Sequence, residues 1–399
     1  MNRPESWPAP VQTIRGFHDD LIAIRHDLHA HPELGFEEVR TAAVVSHALE
    51  LMGIEVHRGI GKTGVVGVLR GKSTESGRTI GLRADMDALP MREENEFEHR
   101  STQVGRMHGC GHDGHTTMLL GAARYLASTR NFDGTVHFIF QPGEEGFAGA
   151  RAMIEDGLFD RFDCDTVYAM HNWPNLPPGT IGLNYGAMMA AADRFDVTIS
   201  GRGGHGAHPY LTIDPVVVAA HLITAAQSIV SRNVGPLDSA VLSICAVEAG
   251  DLHAMNVIPR EAKLVGTVRS FKPAIQDLVE RRLQEVAHAV ASAFGATAQV
   301  NYRRLYPATV NSPTHAAFAA EVADSLVGAD HVVRDIEPSM GAEDFSFMLQ
   351  KRPGAYLRLG QGGAESGCFL HNTRYDFNDA VIPLGSGLFA AIAERSLPL

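Results

Sequence analysis

The stretch MHGCGHDGH, residues 107–115, packs three histidines, a cysteine and an aspartate into nine positions. Cys110 and His112 flank one glycine, so both side chains can face a single point from a tight, unhindered loop. Thiolate and imidazole are borderline-soft ligands suited to zinc and its neighbours. QPGEEG, residues 141–146, adds Glu144 and Glu145 at the end of an apolar run. In an extended segment adjacent residues point apart, so one carboxylate can hold a metal while the other faces a substrate pocket. His171 follows an apolar run in AMHNWP, and His371 lies in FLHNTRYDFND near the C-terminus. Each histidine taken alone reads as a satisfied or exposed side chain. With Cys110, His112 and Glu145 they make a five-ligand set of simple arithmetic. One bridging and two terminal ligands per ion give each of two metals three protein ligands and leave a place for a shared water. Two ions about 3.5–4 Å apart polarise a carbonyl and together lower the pKa of that water. Glu144 would then take the water's proton and deliver it to a leaving amine.

These residues need elements to hold them. Ile14, Phe17, Leu21, Ile24 and Leu28 recur at helical spacing and predict one amphipathic helix up to HPELG. EEVRTAAVVSHALELMG predicts a second. Short β-rich runs follow: GVVGVLRG, RTIGLRADMD, GTVHFIFQPGEE and DTVYAMHNWP. Helical runs such as HTTMLLGAARYLAST and AGARAMIEDGLF separate several of them. Apolar strands alternating with helices predict an α/β domain whose central sheet is mostly parallel and flanked by helices. The polar clusters all fall where such strands end, which is where open α/β sheets form their sites.

From about residue 191 the texture changes. DRFDVTIS, SAVLSICAVEAG, EAKLVGTVRSF and TAQVNYRR read as strands; DPVVVAAHLITAAQSIV and IQDLVERRLQEVAHAVASAF read as helices. The order β-α-β-β-α-β is the ferredoxin-like split arrangement. It predicts an inserted α+β domain over 191–305, with the first domain formed by 1–190 and 306–399.

A chain of 399 residues exceeds what one core usually supports, in keeping with two domains. The net charge of −12 argues against nucleic acid, which would want a basic face. The start, MNRPESWPAPVQ, has no apolar stretch of signal-peptide length, and no run approaches about 18 consecutive apolar residues, so no membrane association is expected. Cys110, Cys164, Cys245 and Cys368 are widely separated and form neither a disulfide framework nor a Cys-rich zinc site. A cytoplasmic location is expected.

Eight stretches, in order along nearly the whole chain, resemble the binuclear-metal aminoacylase and carboxypeptidase superfamily, and most closely its hippurate hydrolase and indole-acetyl-amino-acid hydrolase branch. They are LRADMDALPM, MHGCGHDGHTTMLLGAA, FQPGEEGFAGARAMIEDG, AMHNWPNLPPGTIG, GRGGHGAHPYLTIDPV, MNVIPREA, MGAEDFSFML and LHNTRYDFND. The resemblance implies hydrolysis of the amide bond of N-acyl amino acids, two divalent ions, and a catalytic domain with an inserted lid and dimerisation domain. It assigns Cys110, His112, Glu145, His171 and His371 as metal ligands, Glu144 as general base, and Asp87 as the aspartate that orients the site. Asp85 stands where most of the superfamily has a metal-binding histidine, and Cys110 where others have a bridging aspartate. Both departures agree with the hippurate hydrolase branch.

His205, in GGHGAHP, matches a histidine that stabilises the tetrahedral oxyanion and can come from a partner subunit, a sound role for an imidazole N–H. A homodimer or homotetramer is therefore expected. Asn256 and Arg269 are candidates for holding the substrate carboxylate, since arginine suits bidentate carboxylate binding. The role of Glu343, in GAED, stays open. Donor softness favours zinc, with manganese, nickel or cobalt compatible. The alternatives are an N-acetyl-diaminopimelate deacetylase or dipeptidase on the same site, and a catalytically silent metal- or ligand-binding protein.

Overall fold

The computed structural model describes residues 8–399; the first seven, part of the MNRPESWPAPVQ stretch, lie outside it. The chain divides into two compact units. The first comprises the chain up to Met188 with Val310–Glu337 and Asp344–Leu399; the second comprises Met189–Thr309 and Pro338–Glu343. The short return of 338–343 to the second unit has no counterpart in the sequence division at 190/191 and 305/306.

The first unit is built on an eight-stranded sheet. Its order is Glu55–Ile60, Gly64–Arg70, Thr135–Gln141, Thr79–Asp85, Thr166–Trp173, Gly354–Gly360, Ile181–Gly182, Val332–Val333. The middle four strands run parallel, while the first two pair antiparallel with each other and with Thr135–Gln141. Gly354–Gly360 is buried at every position, as a strand covered on both faces must be. Because the middle strands are parallel, the segments after Asp85, Gln141, Trp173 and Gly360 all leave from one edge of the sheet. The helix His112–Thr129 packs against the C-terminal helix Ile382–Ser396, and Leu119, Leu120, Leu126, Leu388 and Ile392 are fully buried in this core.

The single helix expected across Ile14–Leu28 is two, Ala9–Arg15 and His18–Ala30. Phe17, at φ −131° and ψ 27°, leaves the helical region between them. AGARAMIEDGLF likewise divides into Gly149–Glu155 and Leu158–Arg161 around Gly157 at φ 85°.

The second unit carries a four-stranded antiparallel sheet in the order Ala240–Ala249, Glu261–Ser270, Ala191–Ser200, Thr297–Tyr306. The helices Pro215–Asn233 and Pro273–Ala293 pack on it, which is the ferredoxin-like arrangement. Among the described residues Pro215–Asn233 is the one helix long and apolar enough to cross a membrane. Its Val218, Leu222, Ala226 and Ile229 are instead buried in the core of this unit.

A buried charge network ties the His18–Ala30 helix to the start of His112–Thr129. His29 Nδ1 lies 2.8 Å from Asp113 Oδ2 and its Nε2 3.2 Å from Glu93 Oε1, while the Arg25 guanidinium donates to Asp376 and Asp379. Burial would lower the His29 pKa, but Asp113 and Glu93 outweigh it and raise it to about 9. The folded chain thus holds a proton that the unfolded chain releases near pH 6.5. The resulting stabilisation, on the order of 3 kcal/mol, is complete below that pH and is lost as pH rises through 9. Urea unfolding of wild type between pH 7 and 10 should show this loss, and His29→Gln should lack that part of it.

Candidate metal centre

Cys110 and His112 sit where the chain enters the His112–Thr129 helix, and the glycines around Cys110 have separate tasks. Gly109 offers its carbonyl to the His371 N–H at 2.8 Å, which brings the C-terminal loop to the site. Gly111 precedes the helix at φ 93°, and a Cβ there would stand 2.4 Å from Asn172 Oδ1 and 2.5 Å from the Tyr375 hydroxyl. Gly111→Ala meets both backbone strain and this contact, so it should destabilise the fold by more than about 1 kcal/mol in urea unfolding.

Overlapping triplets of ligand atoms, each within 4.8 Å of one another, converge here. Cys110 with His112 and His171 forms one, and Cys110 with Glu145 and His371 forms another, so the thiol is common to both. His112 also groups with Glu144 and Glu145. Cys110 Sγ lies 3.4 Å from His171 Nε2, and His371 Nε2 lies 3.2 Å from Glu145 Oε1. His371 is the open side of the cluster, half-exposed and held at φ 60°, a conformation rare for a residue with a side chain.

The expectation that Glu144 and Glu145 lie in an extended segment is corrected. They sit in a tight turn set by Gly143 at φ 58°, with Glu145 at ψ 73° and Gly146 at φ 88°. Both carboxylates therefore reach the His112 ring instead of diverging. Asp87 holds the turn: its Oδ1 accepts the Glu144 N–H and its Oδ2 the Glu145 N–H, each at 2.9 Å. Glu144 Oε1 faces the Asp344 N–H at 3.4 Å.

The histidines are oriented as metal ligands are. His112 Nδ1 lies 2.8 Å from the Asp87 carbonyl and His171 Nδ1 lies 2.7 Å from the Asn172 carbonyl, so each Nδ1–H donates to a carbonyl and each Nε2 faces the cluster. His112 Nε2 is buried without a hydrogen-bond partner. Burial pushes the Cys110 thiol well up, and the Glu145, Glu144 and Asp85 charges add to this. His112 would be lowered by burial, yet Asp85, Asp87 and Glu145 raise it to about 10. Burial lowers His171 well below its usual value. An orphaned imidazole nitrogen and a thiol among buried carboxylates fit a site built to receive cations.

Behind the cluster lies a network that the sequence pattern does not single out. His115 joins Asp85 Oδ1 at 2.6 Å to Asn172 Oδ1 at 2.6 Å, and Asn172 Nδ2 donates to Gln361 and to the Tyr375 hydroxyl. Burial would raise Asp85, but Arg83, His112 and His115 hold it well below the carboxylate range. Arg83 also bonds Gln141 and Asp344. The one available signal is local: His115 is three residues from His112, on the same helical face. His108, the remaining histidine of the opening stretch, is buried and lowered to about 4 by desolvation.

The first unit thus brings together Cys110, His112, Glu144, Glu145, His171, His371 and Asp87. His205, Asn256, Arg269 and Glu343 belong to the second unit. There His205 and Asn256 meet in a small ribbon: Gly204–His205 pairs with Val257–Ile258, and the Asn256 carbonyl accepts the Gly206 N–H at 2.7 Å. His205 Nδ1 accepts the Ala207 N–H at 3.0 Å, so the ring proton is on the exposed Nε2. Arg269 is not in that ribbon but on the Glu261–Ser270 strand, half-buried, and its pKa is lowered by burial. Glu343 is buried, and its carbonyl accepts from the Thr309 hydroxyl at 3.2 Å.

Residues 81–395 match the model of peptidase family M20/M25/M40. The chain is 44% identical to hippurate hydrolase of Campylobacter jejuni over 387 residues, covering 97% of this chain and 99% of that protein. It is 39% identical to N-acetylcysteine deacetylase of Bacillus subtilis, covering 95% and 97%. Among solved structures it superposes on the Bacillus subtilis YXEP protein, described as a dinuclear metal binding peptidase from the M20 family. The TM-score is 0.84 at 36% identity, covering 96% and 99% of the two chains.

Proposed function

Because this chain belongs to peptidase family M20/M25/M40, we propose that its site hydrolyses the amide bond of N-acyl amino acids, hippurate-like or N-acetylated, to a carboxylic acid and a free amino acid. The observation that carries this reading is the convergence of Glu144 with two ligand triplets that share Cys110. The 44% identity to a hippurate hydrolase supports the substrate class.

In this reading Cys110, His112 and His171 would hold one divalent ion, and Cys110, Glu145 and His371 would hold a second, the thiol being common to both sets. When bound, the two ions supply positive charge that polarises the substrate carbonyl and makes a water easier to deprotonate. Zinc suits the mixed thiolate, imidazole and carboxylate donors best.

Glu144 takes a proton from the water that attacks the carbonyl carbon and returns it to the leaving amine nitrogen. Asp87 keeps Glu144 in place by binding the amides of the turn. His205, protonated on Nε2, donates to the oxyanion of the tetrahedral intermediate. Asn256 and Arg269, which lie apart on the second unit, are the two candidates for holding the substrate carboxylate.

The protein is assigned to the cytoplasm, a reducing compartment where a catalytic-site thiol and three other free cysteines persist. It acts as a homodimer or homotetramer. In support, the second unit exposes several large apolar side chains near Asn256 and His208: Leu252 and Met255 almost fully, and Tyr210 and Leu211 by more than half. Sedimentation of the metal-loaded protein tests this, and a monomer at micromolar concentration would contradict it.

The activity itself is tested by release of free amino acid from hippurate, N-acetyl amino acids, indole-acetyl conjugates and dipeptides. The dipeptide arm tests the peptidase alternative, which the likeness to the Bacillus subtilis YXEP protein, itself described as a peptidase, favours.

A further inference from the structure

The turn Gly143–Ala148 is costly to hold. Gly143, Gly146 and Ala148 all have positive φ, at 58°, 88° and 56°, and only the first two are glycine. Such a conformation persists when its surroundings over-determine it. Asp87 binds the Glu144 and Glu145 amides but does not reach the residue before them.

That amide is held from another part of the chain. Glu38 is fully buried, and its Oε1 accepts the Gly143 N–H at 2.8 Å. Its Oε2 accepts the Thr63 hydroxyl at 2.6 Å, so both oxygens are aimed by fixed partners. Three successive N–H groups, from Gly143 to Glu145, therefore point into two buried carboxylates. Phe36 closes the junction by meeting Phe147 edge-on at 5.7 Å, with Lys62 Nζ 4.0 Å above its ring. Phe36 and Lys62 are themselves at positive φ, so strained residues from three loops meet at this junction.

We propose that Glu38 is a positioning residue for Glu144, holding the turn that aims the general base through the Gly143 amide. This rests on the reading of Glu144 as the base. Burying a carboxylate is expensive: desolvation, with Asp87 adding to it, pushes Glu38 up to about 7. An apolar residue would fill the space at lower cost but would leave the Gly143 amide unheld.

The test uses the metal-loaded enzyme with Glu38→Ala, Glu38→Gln and, in parallel, Glu144→Gln. It measures kcat, KM, metal per chain and exchange of the Gly143, Glu144 and Glu145 amides. Glu38→Ala should lose about 10–100-fold in kcat, with KM and metal content unchanged and faster exchange at those amides. Glu38→Gln, whose carbonyl can accept the Gly143 N–H, should restore most of the rate. A kcat for Glu38→Ala equal to wild type per folded molecule overturns the proposal, as does a glutamine variant no better than alanine. Should Glu38→Ala not fold, Thr63→Val frees Oε2 alone. It should lower kcat in the same direction by less, and an unchanged kcat overturns the proposal. Wild-type turnover in Glu144→Gln would instead overturn the assignment of the base, while the amide exchange still reports whether Glu38 holds the turn.

Discussion

Glu144→Gln should keep both metal ions and lose about 10²–10⁴-fold in kcat. Glutamine has the size of glutamate and can still face the Asp344 N–H, which lies 3.4 Å from Oε1. The turn itself is held by backbone amides, so the substitution does not disturb the Asp87 bonds. What disappears is the basic carboxylate that takes the proton from water and carries it to the amine. KM should change little, because the loss falls on a step reached after binding. Measured metal content separates this outcome from damage to the centre. Near-wild-type turnover with metals intact would contradict the role given to Glu144.

Cys110→Ser should have an effect of comparable size, by a different route. The thiol is common to both ligand triplets, so its loss weakens two sites at once. Burial and the charges of Glu145, Glu144 and Asp85 already oppose ionisation of the thiol, and only bound cations can offset them. A serine hydroxyl ionises far less readily than a thiol and is a harder donor, so it will not replace the bridging anion. Metal per chain should fall from two to one or none. If the ions supply about 4 kcal/mol of transition-state stabilisation, turnover falls by about 10³-fold. Two ions retained at wild-type affinity would show that Cys110 does not bridge them.

The groups that carry the chemistry are legible because each lies in a short polar cluster, at the end of an apolar strand, at the start of a helix or in the C-terminal loop. Asp87, Glu144 with Glu145, and His171 follow or end three neighbouring parallel strands, and parallel order brings such ends to one edge. The supporting groups are not legible, for a physical reason. Glu38 finds Gly143 across 105 positions and Arg83 finds Asp344 across 261, and pairings at that range leave no periodic trace. The turn at Gly143 reads as extended in the sequence because the left-handed glycine that redirects it has no side-chain pattern of its own. The strand GAYLRLG is hidden because Arg358 interrupts its apolar run. In the fold that guanidinium is buried over the Trp173 ring at 3.7 Å and donates to the Glu337 and Met188 carbonyls.

Metal-dependent hydrolysis of an N-acyl amino acid is the activity proposed for this site. The measurement is free amino acid released from hippurate, N-acetyl amino acids, indole-acetyl conjugates and dipeptides, using chelator-treated protein before and after metal is restored. Release is expected from at least one N-acyl amino acid, lost on chelation and recovered with metal. No release from any N-acyl amino acid by protein carrying two ions per chain would contradict it, and so would release that chelation leaves undiminished.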